Sequence, residues 1–138
     1  AVDRTRPVLL RGIASRWDAR DAWAREAFLE KFGQCEFKLR PCDTLHDYGD
    51  KGPCISVLSL AEYFSAEPAP EAVIFENSYL AIHLDLWSDC GLPPLLSDVH
   101  CKPIFSAARQ HTYVGFHRHH ESWLAQIQGR KAWWLSGG

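Results

Sequence analysis

Residues 115–131 read GFHRHHESWLAQIQGRK. Three histidines fall within four positions, an apolar run follows, and the stretch closes on a glycine and two cations. In an extended chain successive side chains point to opposite faces. His117 and His119 would then share one face, with Phe116, Arg118 and His120 on the other. Two imidazoles at i and i+2 sit roughly 6 to 7 Å apart along a strand, close enough to converge on one metal ion. A metal that handles oxygen also needs open coordination positions, which a face of two histidines and one carboxylate leaves. The spacing predicts a strand that presents a divalent-metal site.

The residues that follow extend this reading. WLAQIQGRKAWWL is two apolar runs separated by QGR, the pattern of a hairpin with Gly129 in its turn. Lys131 opens the return strand. If it shares a face with Trp133 and Leu135, its ammonium points into an apolar interior, where it needs an anionic partner such as a carboxylate ligand. The alternative leaves Lys131 at the surface where the strand begins. His111 and His120 lack ligand spacing with the pair and are expected to flank it or face outward.

Upstream, RPVLLRGIA predicts a short strand ended by Gly12. SRWDARDAWAREAFLEKFG predicts one helix. Asp18 can cap its start, Trp23, Ala24, Ala27, Phe28 and Phe32 recur at three- and four-residue intervals, and Gly33 stops it. Trp17 and Trp23 are expected as core anchors. CEFKLR alternates like a half-buried strand, CISV suits a short one, and AVIFE a buried one. LSLAEYFSAE carries a capping box, Ser59 with Glu62, and predicts a short helix. Residues 41–53, with His46, and residues 83–98, with His83 and Asp85, are expected as loops with at most a brief helical turn. PIFSA, TYVGFHRHH, WLAQI and KAWWL then predict a group of antiparallel strands, so the chain is α+β with its strands gathered late.

Composition narrows the function classes. The net charge of −2 is uneven: residues 100–138 hold Lys102, Arg109, Arg118, Arg130 and Lys131 against Glu121 alone, leaving that third at +4 and the remainder at −6. A basic, histidine-rich third suits an anionic ligand. No basic run and no basic–aromatic alternation supports nucleic-acid binding. No apolar run approaches the roughly 18 to 20 residues of a membrane-crossing helix, so no membrane span is expected. Five cysteines without a two-residue pair, and no N-glycosylation sequon, favour free thiols in the cytoplasm or nucleus, with the endoplasmic reticulum lumen the alternative. The chain contains no methionine and begins at Ala1, which suggests an excerpt or a processed product.

Taken together, the HRH pair, the short apolar strand and QIQGRKAWWL resemble the core of the JmjC family of Fe(II)- and 2-oxoglutarate-dependent oxygenases. RPVLLRGIASRWDARDAWAREAFLEKFG is similar to the strand–helix opening of its JmjC-only hydroxylase branch, and LSLAEYF with AVIFEN to the segment that follows. The resemblance is specific in residues 112–135 and looser elsewhere. It implies a cupin-type double-stranded β-helix, or jelly roll, with the N-terminal helices packed on it. One domain would span residues 1–138, with the strand–helix part in 1–99 and the start of the barrel in 100–138. By position it implies His117 and His119 as iron ligands, Lys131 as the partner of the far carboxylate of 2-oxoglutarate, and Ser122 as a polar residue lining that pocket. A polypeptide is the substrate class it implies.

This sequence departs from the family pattern at three places. His119 stands where an aspartate is usual, so the site has one negative charge fewer to balance Fe(II). Val114 stands where a threonine hydroxyl usually helps hold 2-oxoglutarate. The distal histidine is expected on a later strand, and the sequence stops at Gly138 before one, so the barrel is expected to be incomplete. These departures keep two other readings open. One is a JmjC-fold binding module without turnover. The other is a cupin metalloprotein of different chemistry with Glu121 as carboxylate ligand, although Glu121 falls nearer to the histidine pair than such ligands usually do.

Overall fold

The computed structural model describes residues 6–42, 53–77, 86–98, 100, 104–115, 117 and 122–135. Four strands form one antiparallel sheet: β1 (Glu36–Pro41), β2 (Ser56–Ser59), β3 (Ala72–Asn77) and β4 (Ile104–Ala107), in the spatial order β2-β1-β3-β4. Among the described residues three α-helices accompany it: α1 (Ala19–Ala22), α2 (Arg25–Phe32) and α3 (Leu60–Ser65). The chain is α+β, and no helix among the described residues is long and apolar enough to cross a membrane.

The sheet follows from alternation. In β1 Phe37 and Leu39 are buried while Glu36 and Lys38 are exposed. The register places Phe37 opposite Leu58, Leu39 opposite Ile74, and Ile74 opposite Ala107, which lines apolar side chains along one face. That face packs with Phe28 and Phe32 of α2 and Leu60 and Tyr63 of α3 to make the main core. At about 25 cal/mol per Å² of apolar surface removed from water, such a cluster is the principal stabilising term. On the opposite face Cys42 and Val73 form a smaller cluster with Phe75 and Val114. Arg40, paired in register with Val73, is buried on this second face.

The helix expected across residues 15–33 is interrupted. A 3-10 turn at Ala14–Arg16 precedes α1, and Ala24 between α1 and α2 is extended at ψ 142°. Asp18 occupies the position before α1 but makes no side-chain capping bond. The cause of the break is tertiary. The Trp23 indole donates to the Asp89 carboxylate at 3.0 Å and lies against Phe28 and Phe105. Holding Trp23 there lets the chain restart at Arg25 with Phe28 and Phe32 turned onto the sheet. The helix stops at Gly33 as expected, and a side chain does not fit there, because a Cβ would collide with the Leu29 carbonyl.

The strand expected in residues 6–12 does not form. Val8, Leu9 and Leu10 are 55%, 73% and 41% exposed, and Gly12 turns the chain at φ +76°. A strand needs a neighbour to hydrogen-bond, and no described strand pairs with this one. The strand expected at 54–57 forms two residues later, at β2. Residues 86–98 are turns with a 3-10 turn at Pro94–Leu96, in line with the loop expectation. His46, His83 and Asp85 lie outside the described residues.

The capping box forms as expected: the Ser59 hydroxyl accepts from the Glu62 amide at 3.2 Å, and the Glu62 carboxylate accepts from the Ser59 amide at 2.8 Å. The Ser59 hydroxyl also donates to that carboxylate, which holds the Glu62 pKa below its ordinary value. Ser59→Ala removes this cap, and the expected loss is about 1 kcal/mol of unfolding free energy in a urea titration. A loss indistinguishable from zero would mean that packing of Leu60 and Tyr63 alone sets the start of α3.

Candidate functional site

The chain leaves the sheet at Ala107 and travels to His117 through a series of fixed points. The Arg109 amide donates to the Tyr63 hydroxyl at 3.2 Å, and that hydroxyl donates to the Ala72 carbonyl at 2.9 Å. The Arg109 guanidinium donates to the Ala66 carbonyl and, at 3.0 Å, to the Glu67 carboxylate. Both partners follow the end of α3, where carbonyls lack helical donors and a cation is favourable. Next comes a turn: the Thr112 amide and hydroxyl both donate to the Arg109 carbonyl, at 3.3 and 2.7 Å. His111 inside it adopts φ +68°. Val114 then packs on Cys42 and Val73.

His117 is exposed, and its Nδ1 lies 2.7 Å from the Gly115 carbonyl oxygen. A carbonyl only accepts, so Nδ1 carries the proton in the neutral ring and the acceptor lone pair falls on Nε2. This is the tautomer that an Nε2-coordinating histidine needs. His119 lies outside the described residues, as do Phe116, Arg118, His120 and Glu121.

The strands expected after this point are absent from the described residues. Neither 111–115 nor 122–127 nor 131–135 belongs to the sheet. Residues 122–128 are engaged elsewhere: Trp123 meets Trp17 edge-on at 6.3 Å, and the Gln128 amide donates to the Arg20 carbonyl at 2.6 Å. The Gln126 side chain bonds the Gln128 carbonyl at 2.6 Å, a local contact that competes with a strand ladder. Gly129 does turn the chain, at φ +75°, where the hairpin turn was expected.

Ser122 is exposed. Lys131 is also exposed, and not directed into an apolar interior, because Trp133 and Leu135 beside it are themselves 50% and 63% exposed. Its Nζ sits 4.3 Å from the centre of the Trp133 ring, and the partial desolvation there lowers its pKa from the ordinary value. Among the described residues no three histidine, cysteine or acidic side chains assemble a metal site. The concavities among the described residues include one of about 460 Å³ beside Cys42 and Tyr113 and one of about 560 Å³ beside Arg25 and Arg109. Neither is lined by His117, Ser122 or Lys131.

The described cysteines, Cys35, Cys42, Cys54 and Cys90, form no disulfide among the described residues. Burial, with Asp89 adding to it, pushes Cys90 up to about 11, so that thiol is a poor nucleophile at neutral pH. Sequence reasoning missed Tyr63 and Arg109, the two residues that tie the approach to His117 onto the sheet. Arg109 entered it only as one of the cations of the basic third. Comparison with protein-family models, curated proteins and solved structures gives no match.

Proposed function

We propose that this chain carries the metal-binding core of a JmjC-type Fe(II)- and 2-oxoglutarate-dependent oxygenase that acts on a polypeptide. One observation carries the reading: the HRH pair, His117 and His119, stands fourteen and twelve residues before Lys131 within GFHRHHESWLAQIQGRK. The Nδ1–H to Gly115 bond supports it, because it leaves the His117 ring with its lone pair on the nitrogen that can bind a metal. The reading requires a double-stranded β-helix, and the four-stranded antiparallel sheet is compatible with part of one.

In this proposal His117 and His119 hold Fe(II), which when bound supplies activation of dioxygen for hydroxylation. Lys131 pairs its ammonium with the far carboxylate of 2-oxoglutarate, and Ser122 offers a hydroxyl beside it. The Trp133 face under Lys131 orients the cation and excludes water from one side of it. His119 in place of a carboxylate and Val114 in place of a hydroxyl favour a second reading, a binding module of the same fold without turnover.

Anaerobic titration with Fe(II), with and without 2-oxoglutarate, tests both. The oxygenase reading expects a weak visible charge-transfer band that needs both components and disappears in His117→Ala. Fe(II) binding without any 2-oxoglutarate-dependent band would favour the binding module. A band that persists in His117→Ala would overturn the assignment of the histidine pair.

A further inference from the structure

We infer that Arg109 is a positioning residue for His117, fixing the pose and the Nδ1–H tautomer of its imidazole. This rests on the reading of His117 as a metal ligand. Arg109 and His117 are eight residues apart, and the chain between them is anchored at Arg109, Thr112 and Val114. The Arg109 side chain is only 16% exposed and bridges the Ala66 carbonyl and the Glu67 carboxylate, while its amide is held by Tyr63. Its own carbonyl receives both the amide and the hydroxyl of Thr112, which closes a tight turn.

That turn places His111 at φ +68°, a conformation a side chain resists unless its surroundings impose it. Val114, two residues beyond the turn, is seated against Cys42 and Val73. The Gly115 carbonyl is adjacent to that seat, and it selects the His117 tautomer. A guanidinium can satisfy two acceptors in a fixed fork, so this side chain acts with the Tyr63 hydroxyl and the Val114 seat to set where the turn begins and where the acceptor for His117 ends up. Releasing Arg109 frees the turn to relax His111 and lets Gly115 drift from the ring.

The test reads the imidazole directly and then the metal. In ¹⁵N-labelled protein at pH 8, the His117 signals, assigned by their loss in His117→Gln, are expected to show a protonated Nδ1 and an unprotonated Nε2. In Arg109→Ala the two nitrogens are expected to move toward the averaged values of a mixed tautomer, with far-UV circular dichroism unchanged. Arg109→Lys, which keeps one charged donor, is expected to fall between them and serves if the alanine variant does not fold. Co(II) affinity, as a probe of the iron site, is expected to weaken tenfold or more in Arg109→Ala.

His117 shifts identical in wild type, Arg109→Ala and Arg109→Lys would overturn the inference, as would a wild-type ring protonated at Nε2. Shifts that respond to Arg109 in a wild-type protein that binds no Co(II) would uphold the positioning and sink the oxygenase reading.

Discussion

Phe105→Ala is expected to lower the unfolding free energy by about 3 to 5 kcal/mol. Phe105 is 7% exposed on edge strand β4, and its ring lies 5.8 Å from Trp23, 5.8 Å from Phe28 and 5.9 Å from Phe37. It therefore joins three parts of the molecule: the break before α2, α2 itself, and the centre of the sheet. Removing the ring loses its transfer energy and leaves a void that the surrounding aromatic rings cannot close without leaving their own contacts. For a domain whose whole stability is of order 5 to 15 kcal/mol, that is a large fraction. Urea unfolding followed by tryptophan fluorescence reads it, because Trp23 sits against the deleted ring. Phe105→Leu keeps most of the volume and is expected to cost less than half as much. A loss below about 1 kcal/mol in Phe105→Ala would show that β4 is held by its hydrogen bonds to β3 and not by this cluster.

What the sequence discloses is divided along a physical line. Strands β1, β3 and β4 are legible because each carries its own evidence in alternating or continuous apolar residues: Phe37 and Leu39, the run 72–75, and Ile104 and Phe105. Helix α3 is legible because Ser59 and Glu62 cap it within one turn. These are local signals. The break between α1 and α2 is not legible, since it depends on Asp89, sixty-six residues from Trp23. Residues 6–12 read as a strand by composition, yet a strand exists only with a partner, and composition does not reveal one.

The candidate site divides the same way. The alternation rule pairs His117 with His119 on any extended chain, and the Gly129 turn is legible from glycine alone. The engagement of residues 122–128 with Trp17 and Arg20 is not, because it joins opposite ends of the sequence. Nor is the exposure of Lys131, which depends on whether a second apolar layer covers Trp133 and Leu135. The Tyr63–Arg109 link is likewise a contact across forty-six residues, from a backbone amide to a side-chain hydroxyl, with no local signature.

That link yields the second large effect, and pH separates its parts. Tyr63 is fully buried, with its hydroxyl between the Ala72 carbonyl and the Arg109 amide. Tyr63→Phe deletes the hydroxyl and leaves both groups short of a partner, for an expected loss of about 1 to 3 kcal/mol at neutral pH. Burial pushes the phenol up to about 12, opposed in part by the Arg109 amide, from an ordinary value of 10.0. The folded phenol therefore keeps its proton at a pH where the unfolded one loses it. The stability that Tyr63 contributes is fully present below pH 10 and is lost as the pH rises toward 12, by roughly 1.4 kcal/mol per pH unit. Wild type and Tyr63→Phe share every other titrating group, so the gap between their unfolding free energies is expected to stay constant to pH 10 and then to narrow. A gap that stays constant up to pH 12 would mean that the phenol ionises in the folded state as easily as in water. Tyr63 would then be open to solvent, and the strap that ties β3 to the approach to His117 would not be closed.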